Sequence, residues 1–299
     1  MNNQQQPRMN SFKKTLFLCG IFAALTSCNF NKSVRKDFVT GITTKGDGLS
    51  AEKVYVTIND EKVSDNEFFY GQNIYTIFEN MSGFKVENNR YHPQMEVVLV
   101  SKAGDTIMHE ANLFQQNPGF GAEMKTLQGN MLLARPIYSS EDYTLHYKIS
   151  DEHGEGVFNS TLQFDLLHDP AIKVNKKGLD YKEGYLLSLT KNAVITDSKV
   201  AFEELILMDF QDVSGYTRVD GAVALGLKIK VTDANDTMIL NMEDVFGEST
   251  LSEEQIKSGL GAQLKFTKGA LKNPVTFKVT IWDKNSNARL EAETELIVE

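Results

Sequence analysis

The chain has 299 residues, 41% of them hydrophobic and 24% charged, a composition that fits one or two folded domains and excludes a disordered chain. Its net charge of −9 argues against broad nucleic-acid binding, which needs a cationic face to displace counterions from phosphate. Cys19 and Cys28 are the only cysteines, so the body of the chain holds no disulfide framework, no thiolate nucleophile and no cysteine-based zinc site.

The first element in chain order is residues 9–28. Lys13 and Lys14 precede a short apolar run, Thr15 to Ala24, and then Leu25-Thr26-Ser27-Cys28. A membrane-spanning helix needs about 20 apolar residues, and this run is shorter. It fits the apolar region of a signal peptide. Leu25-Thr26-Ser27-Cys28 resembles the lipobox of bacterial lipoproteins. That resemblance implies a signal peptide over 1–27, cleavage before Cys28, a diacylglycerol on the Cys28 thiol and an acylated new amine. Several acyl chains at about 0.8 kcal/mol per buried CH₂ anchor a protein stably where a single chain does not. A membrane partner is therefore expected through Cys28, and not through bulk charge. Met1 to Arg8 is polar and adds nothing to the pattern, which points to Met9 as the true start.

Residues 28–44 read as a polar tether. The stretch after Cys28, Asn29-Phe30-Asn31-Lys32-Ser33-Val34-Arg35-Lys36, is basic. Surface-exported lipoproteins of the Bacteroides phylum commonly carry an acidic run there. By that resemblance the protein is expected at the outer membrane, facing the periplasm.

An internal repeat sets the plan of the rest. Lys45-Gly46 recurs as Lys177-Gly178, Phe78 with Ser82-Gly83-Phe84 as Phe210 with Ser214-Gly215-Tyr216, and Asp151 as Asp283. Each pair is separated by 132 positions (177 against 45, 210 against 78, 283 against 151). A constant offset over this length predicts a first domain over 45–170 and a second over 171–299, joined at Asp169-Pro170. Within them, runs such as Tyr143-Leu145-Tyr147-Ile149 and Val275-Phe277-Val279-Ile281 alternate with polar residues. That period marks half-buried strands. Turn residues separate the runs at Gly104-Asp105, Asp151 to Gly154, Asp233 to Asp236 and Asp283 to Asn287. The expected fold is all-β: two tandem antiparallel β-sandwiches of immunoglobulin-like type, resembling the tandem domains of Bacteroides-phylum envelope lipoproteins. One short helix is expected per domain, near Ser252 to Ser258 with a Ser252/Gln255 capping box, and near Ala122 to Gly129.

Few residues stand out for chemistry. All five histidines, His92, His109, His146, His153 and His168, fall in the first domain. Their spacings match no local ligand pair, so no metal site and no cofactor are expected. Glu203-Glu204 and Glu253-Glu254 read as structural acids, and the Asp233 to Asp236 run as a hairpin turn, not a calcium loop. No nucleophile elbow, phosphate loop or metalloprotease helix occurs, and a non-enzymatic protein is expected. Asp105-Thr106-Ile107 and Asp236-Thr237-Met238 resemble the Asp-Ser/Thr-apolar acceptor of Bacteroides-phylum O-glycosylation, which makes Thr106 and Thr237 candidate modification sites. Trp282, the only tryptophan, falls on the polar face of its strand and is a candidate partner contact. The sequence reading is a binding or scaffold lipoprotein with a protein partner. Glycan binding is the alternative, and a hydrolase with scattered site residues a third.

Overall fold

The computed structural model describes residues 32–37 and 40–299. Cys28 and the expected signal peptide over 1–27 lie outside them. No helix among the described residues is long and apolar enough to cross a membrane.

The period-two runs become strands with one buried face. In Glu141–Asp151, Tyr143, Leu145, Tyr147 and Ile149 are buried while His146 and Lys148 face water. In Val275–Asp283, Val275, Phe277, Val279 and Ile281 are buried. The first domain stacks two sheets. One runs Lys32–Lys36, Ile42–Asp47, Val157–Leu167, Glu141–Asp151, Pro93–Ser101, Thr106–Glu110, with Glu67–Phe69 added parallel to Val157–Leu167. The other runs Leu127–Leu132, Asn73–Glu79, Lys53–Ile58, Glu61–Lys62. Their core centres on Phe78, packed against Tyr147 and Phe158 with ring centroids 5.3 and 6.2 Å away.

The second domain repeats the design. Lys173–Lys177, Arg289–Val298, Val275–Asp283, Leu225–Thr232 and Met238–Met242 form one sheet. Ala193–Val194, Glu183–Ser188, Leu205–Gln211 and Leu260–Lys265 form the other. Phe210 fills the position of Phe78 at the centre of the second core. The protein is thus all-β, two tandem antiparallel sandwiches.

The repeat extends to single hydrogen bonds. Asp151 accepts from the backbone N–H of Lys85 and His153, at 2.5 and 3.1 Å. Asp283 accepts from those of Thr217 and Asn285, at 2.9 and 3.0 Å. Asn112 caps the N–H groups of Met95 and Phe114; Asp244 does the same for Leu227 and Phe246. Both domains bulge at the same place in the outer hairpin, between Leu99 and Val100 and between Val231 and Thr232. Buried side chains that bind backbone donors in this way satisfy loops that no ladder reaches.

Two expectations change. The helix of the second domain is present at Glu253–Ser258, with Ser252 and Gln255 forming the reciprocal capping box. Its first-domain counterpart near Ala122 to Gly129 is not helical. Phe120–Gly121 pairs instead with Arg90–Tyr91, the Ala122 N–H donates to the Asn89 carbonyl, and Leu127 already belongs to a strand. Phe120 stands where the second domain has Ser252, and it offers no oxygen to cap a helix. The second change concerns the tether: Lys32–Lys36, at its centre, pairs with Ile42–Asp47 as an edge strand of the first sandwich.

The domains meet through a polar joint. Glu183 is fully buried. Its carboxylate accepts from the Ser139 N–H of the first domain at 2.7 Å and contacts His168 Nδ1 of the connecting segment at 3.1 Å. Tyr70 packs on Tyr185 with centroids 5.3 Å apart, and Gly71 leaves room for Val194. Beside Tyr185, burial holds the Asp209 carboxyl above the usual carboxylate range, although Tyr185 and Gln211 hydrogen-bond to it. The native state therefore binds that proton more tightly than the unfolded chain. Stability is lost as pH rises from the ordinary carboxylate range through the raised value. Asp209→Asn keeps an acceptor for Tyr185 and removes the charge. It should raise the melting temperature at pH 7.5, with the difference from the parent protein vanishing in acid; paired thermal melts at the two pH values check this.

Candidate functional site

The most distinctive surface lies on the outer face of the second domain's larger sheet. Alternation along Val275–Asp283 turns Lys278, Thr280 and Trp282 outward, and along Leu225–Thr232 it turns Gly226, Lys228 and Lys230 the same way. Pairing then sets them side by side: Trp282 opposite Gly226 on one flank and Arg289 on the other, Thr280 opposite Lys228, Lys278 opposite Lys230. Lys177 completes the row opposite Arg289. The result is an open groove of about 560 Å³.

Gly226 makes the floor. A side chain there would collide with the Trp282 indole, so the ring lies across its neighbour's bare backbone. Aromatic rings commonly cover a cross-strand glycine in this way. Trp282 is half-buried and lines the groove.

The charges are unusual for a sheet. Five cations, Lys177, Lys228, Lys230, Lys278 and Arg289, line the groove with one acid, Glu291. Lys230 sits directly opposite Lys278, and Lys177 directly opposite Arg289. Like charges in directly opposed positions destabilise a ladder. Compensation is partial. Lys278, at 3.2 Å, and Arg289 hold Glu291 well below the usual carboxylate range. Lys228 pairs at 2.6 Å with Glu243, just past the end of the adjoining strand Met238–Met242. Among the described residues, no ion pair reaches Lys177 or Lys230. A face that keeps opposed cations around a half-exposed ring suits an anionic ligand that also presents a flat or apolar surface.

The first domain, 132 positions earlier, has no such site. Glu96 stands at the place of Lys228, Val98 at Lys230, His146 at Lys278, Ser150 at Trp282 and Val157 at Arg289. There Glu96 pairs with His109 and Lys148.

The other sequence candidates are scattered. Cys28 lies outside the described residues. Thr106 and Thr237 are both exposed at equivalent hairpin exits. The Thr237 hydroxyl and N–H bind Asp233, which these bonds hold below the usual carboxylate range despite the opposing effect of its burial. Of the histidines, His109 and His146 sit apart on the outer face, and His168 serves the joint. Sequence spacing did not anticipate one convergence. His92 and His153 stack with centroids 4.5 Å apart, and with Glu152 they bring ligand atoms within 4.8 Å of one another.

No family model matches the chain, and no curated protein does. Among solved structures the chain is similar to pT26-6p, at 6% identity and a TM-score of 0.24, over 90% of this chain and 66% of that one. It is also similar to a DUF3823 family protein from Bacteroides ovatus, at 9% identity and a TM-score of 0.21, over 72% of this chain and 95% of that one. A third likeness is to the trypsin-activated alpha-2-macroglobulin of Escherichia coli, at 9% identity and a TM-score of 0.24, over 87% of this chain and 18% of that one.

Proposed function

We propose that this is a non-enzymatic envelope lipoprotein, anchored through Cys28 at the periplasmic face of the outer membrane, whose second domain binds an acidic partner through the Trp282 groove. The observation that carries the reading is the pair of opposed cation couples, Lys230 with Lys278 and Lys177 with Arg289, flanking Trp282. Local stability disfavours that arrangement, and a local rule broken on a surface is characteristic of a functional face. The partner in this reading is a protein with an extended acidic segment. Adjacent strands about 4.8 Å apart space the cations across the sheet at intervals such a segment can meet.

A photo-crosslinking residue placed at Trp282 in living cells tests the proposal. A discrete adduct should form there and not at the equivalent Ser150 of the first domain. Lys230→Glu should abolish the adduct while leaving the melting temperature unchanged or slightly raised, because it relieves the like-charge pair. Equal labelling at both positions, or an adduct indifferent to Lys230→Glu, would refute the assignment. Trp282 supports a second reading, an acidic glycan whose ring stacks on the indole while its carboxylates meet the lysines. Affinity electrophoresis in polygalacturonate, with Trp282→Ala as control, separates the two: retardation of the parent protein alone selects the glycan.

A further inference from the structure

We propose that the first domain carries a divalent transition-metal site formed by His92, His153 and Glu152. These residues arrive from two places in the chain. His92 lies between the strands Arg90–Tyr91 and Pro93–Ser101, while Glu152 and His153 form the turn that follows Glu141–Asp151. Their ligand atoms all lie within 4.8 Å of one another. Donors around a tetrahedral zinc at bond lengths of about 2.0–2.2 Å stand roughly 3.4 Å apart. Small rotations of side chains that are exposed or half-exposed close that gap.

The frame beneath the three side chains is fixed. The Glu152 N–H donates to the His92 carbonyl at 2.9 Å, which locks the two segments together. Asp151, buried, accepts from the His153 N–H at 3.1 Å and from the Lys85 N–H at 2.5 Å. The His92 ring lies against Gly119, where any side chain would strike it. Glu87, on the hairpin bridged by Glu87 and Arg90, brings Oε2 to 3.2 Å from His153 Nδ1. It is placed to hold that ring by a hydrogen bond or to close the coordination as a fourth donor. Two imidazoles and a carboxylate suit zinc and its neighbours and do not suit calcium or magnesium, which take all-oxygen shells.

The second domain supplies an internal control. It keeps the same frame: the Lys284 N–H donates to the Ala224 carbonyl at 3.0 Å, and Asp283 binds the Asn285 N–H. Every donor side chain is gone. Ala224 stands for His92, Lys284 for Glu152, Asn285 for His153 and Val219 for Glu87. The shared backbone bonds therefore account for the fold of this turn, and the three ligands are additions specific to the first domain. Where Glu87 only holds the His153 ring, the three protein donors leave the ion a position open to water.

Isothermal titration of the full chain, free of any affinity tag, with zinc chloride tests the site. His92→Ala and His153→Ala are run in parallel, so that any binding by Cys19 or Cys28 is common to all samples. The parent protein should take up one more equivalent of zinc, in the micromolar range, than either variant, or bind it tighter by roughly tenfold or more. His146→Ala should titrate like the parent. Unchanged melting temperatures without metal establish that the variants are folded. Identical titrations for the parent, His92→Ala and His153→Ala would overturn the proposal.

Discussion

Glu183→Ala is expected to cost about 3 kcal/mol and to uncouple the two sandwiches. The side chain has no access to water. One carboxylate oxygen takes the Ser139 N–H, and the other contacts His168 Nδ1 and takes the Gly184 N–H at 3.1 Å. Two opposing effects follow its removal. Relief of a buried charge favours the variant. Loss of three hydrogen bonds to a charged acceptor, at about 1.5–3 kcal/mol each, together with an orphaned buried N–H at Ser139, disfavours it. The second sum is larger. Glu183→Gln keeps one acceptor and should cost less than half as much. Because the bonds cross the joint, the expected signature extends beyond a lower midpoint. Calorimetry of Glu183→Ala should resolve two transitions where the parent protein shows closer coupling. A single transition at the parent's midpoint would show that the joint does not hold the domains together.

The second large effect is expected at Gly215. Its φ is +85°, in the region that L side chains rarely occupy, and a Cβ would collide with the Gly178 carbonyl oxygen. The close approach exists because Asp180 and Ser214 exchange backbone hydrogen bonds of 3.0 and 2.8 Å beside it. The left-handed conformation alone costs a non-glycine residue about 1–2 kcal/mol. The collision is with backbone, which cannot swing aside without breaking that bridge, so Gly215→Ala should lose on the order of 3 kcal/mol in all. Gly83 is its twin, with φ +100° against the Gly48 carbonyl and with Ser50 and Ser82 bridged alongside. Urea unfolding of Gly215→Ala and Gly83→Ala should show matched losses, each confined to its own domain. Ser214→Ala, exposed and bonded through its backbone, should be close to neutral.

These glycines show which features could be read from sequence. Ser82-Gly83-Phe84 and Ser214-Gly215-Tyr216 were visible as a repeat because a positive φ against a carbonyl admits almost nothing but glycine. Asp151 and Asp283 persisted because each binds backbone N–H groups in its own turn. Buried faces of strands were legible from period-two alternation, which one chain segment carries by itself. The groove was legible only in part. Alternation alone set Trp282, Lys228, Lys230 and Lys278 on wet faces. Their adjacency depends on strand order and register, which no single segment encodes. His92 and His153 are separated by five strands, so no local ligand spacing in the sequence links them. The first-domain helix failed for the opposite reason. The local pattern permitted a turn of helix, but the pairing of Phe120–Gly121 with Arg90–Tyr91 claimed the backbone first.

The edge strand Lys32–Lys36 has a mechanical consequence for the proposed anchor. It is pinned residue by residue to Ile42–Asp47, and only four residue steps separate Lys32 from Cys28. Fully extended, those steps reach about 14 Å. If Cys28 carries acyl tails as proposed, that reach would hold the first sandwich close against the lipid headgroups. A molecule held in that way would meet its partners by sliding in the plane of the membrane, a two-dimensional search, and not by reaching out on a long arm.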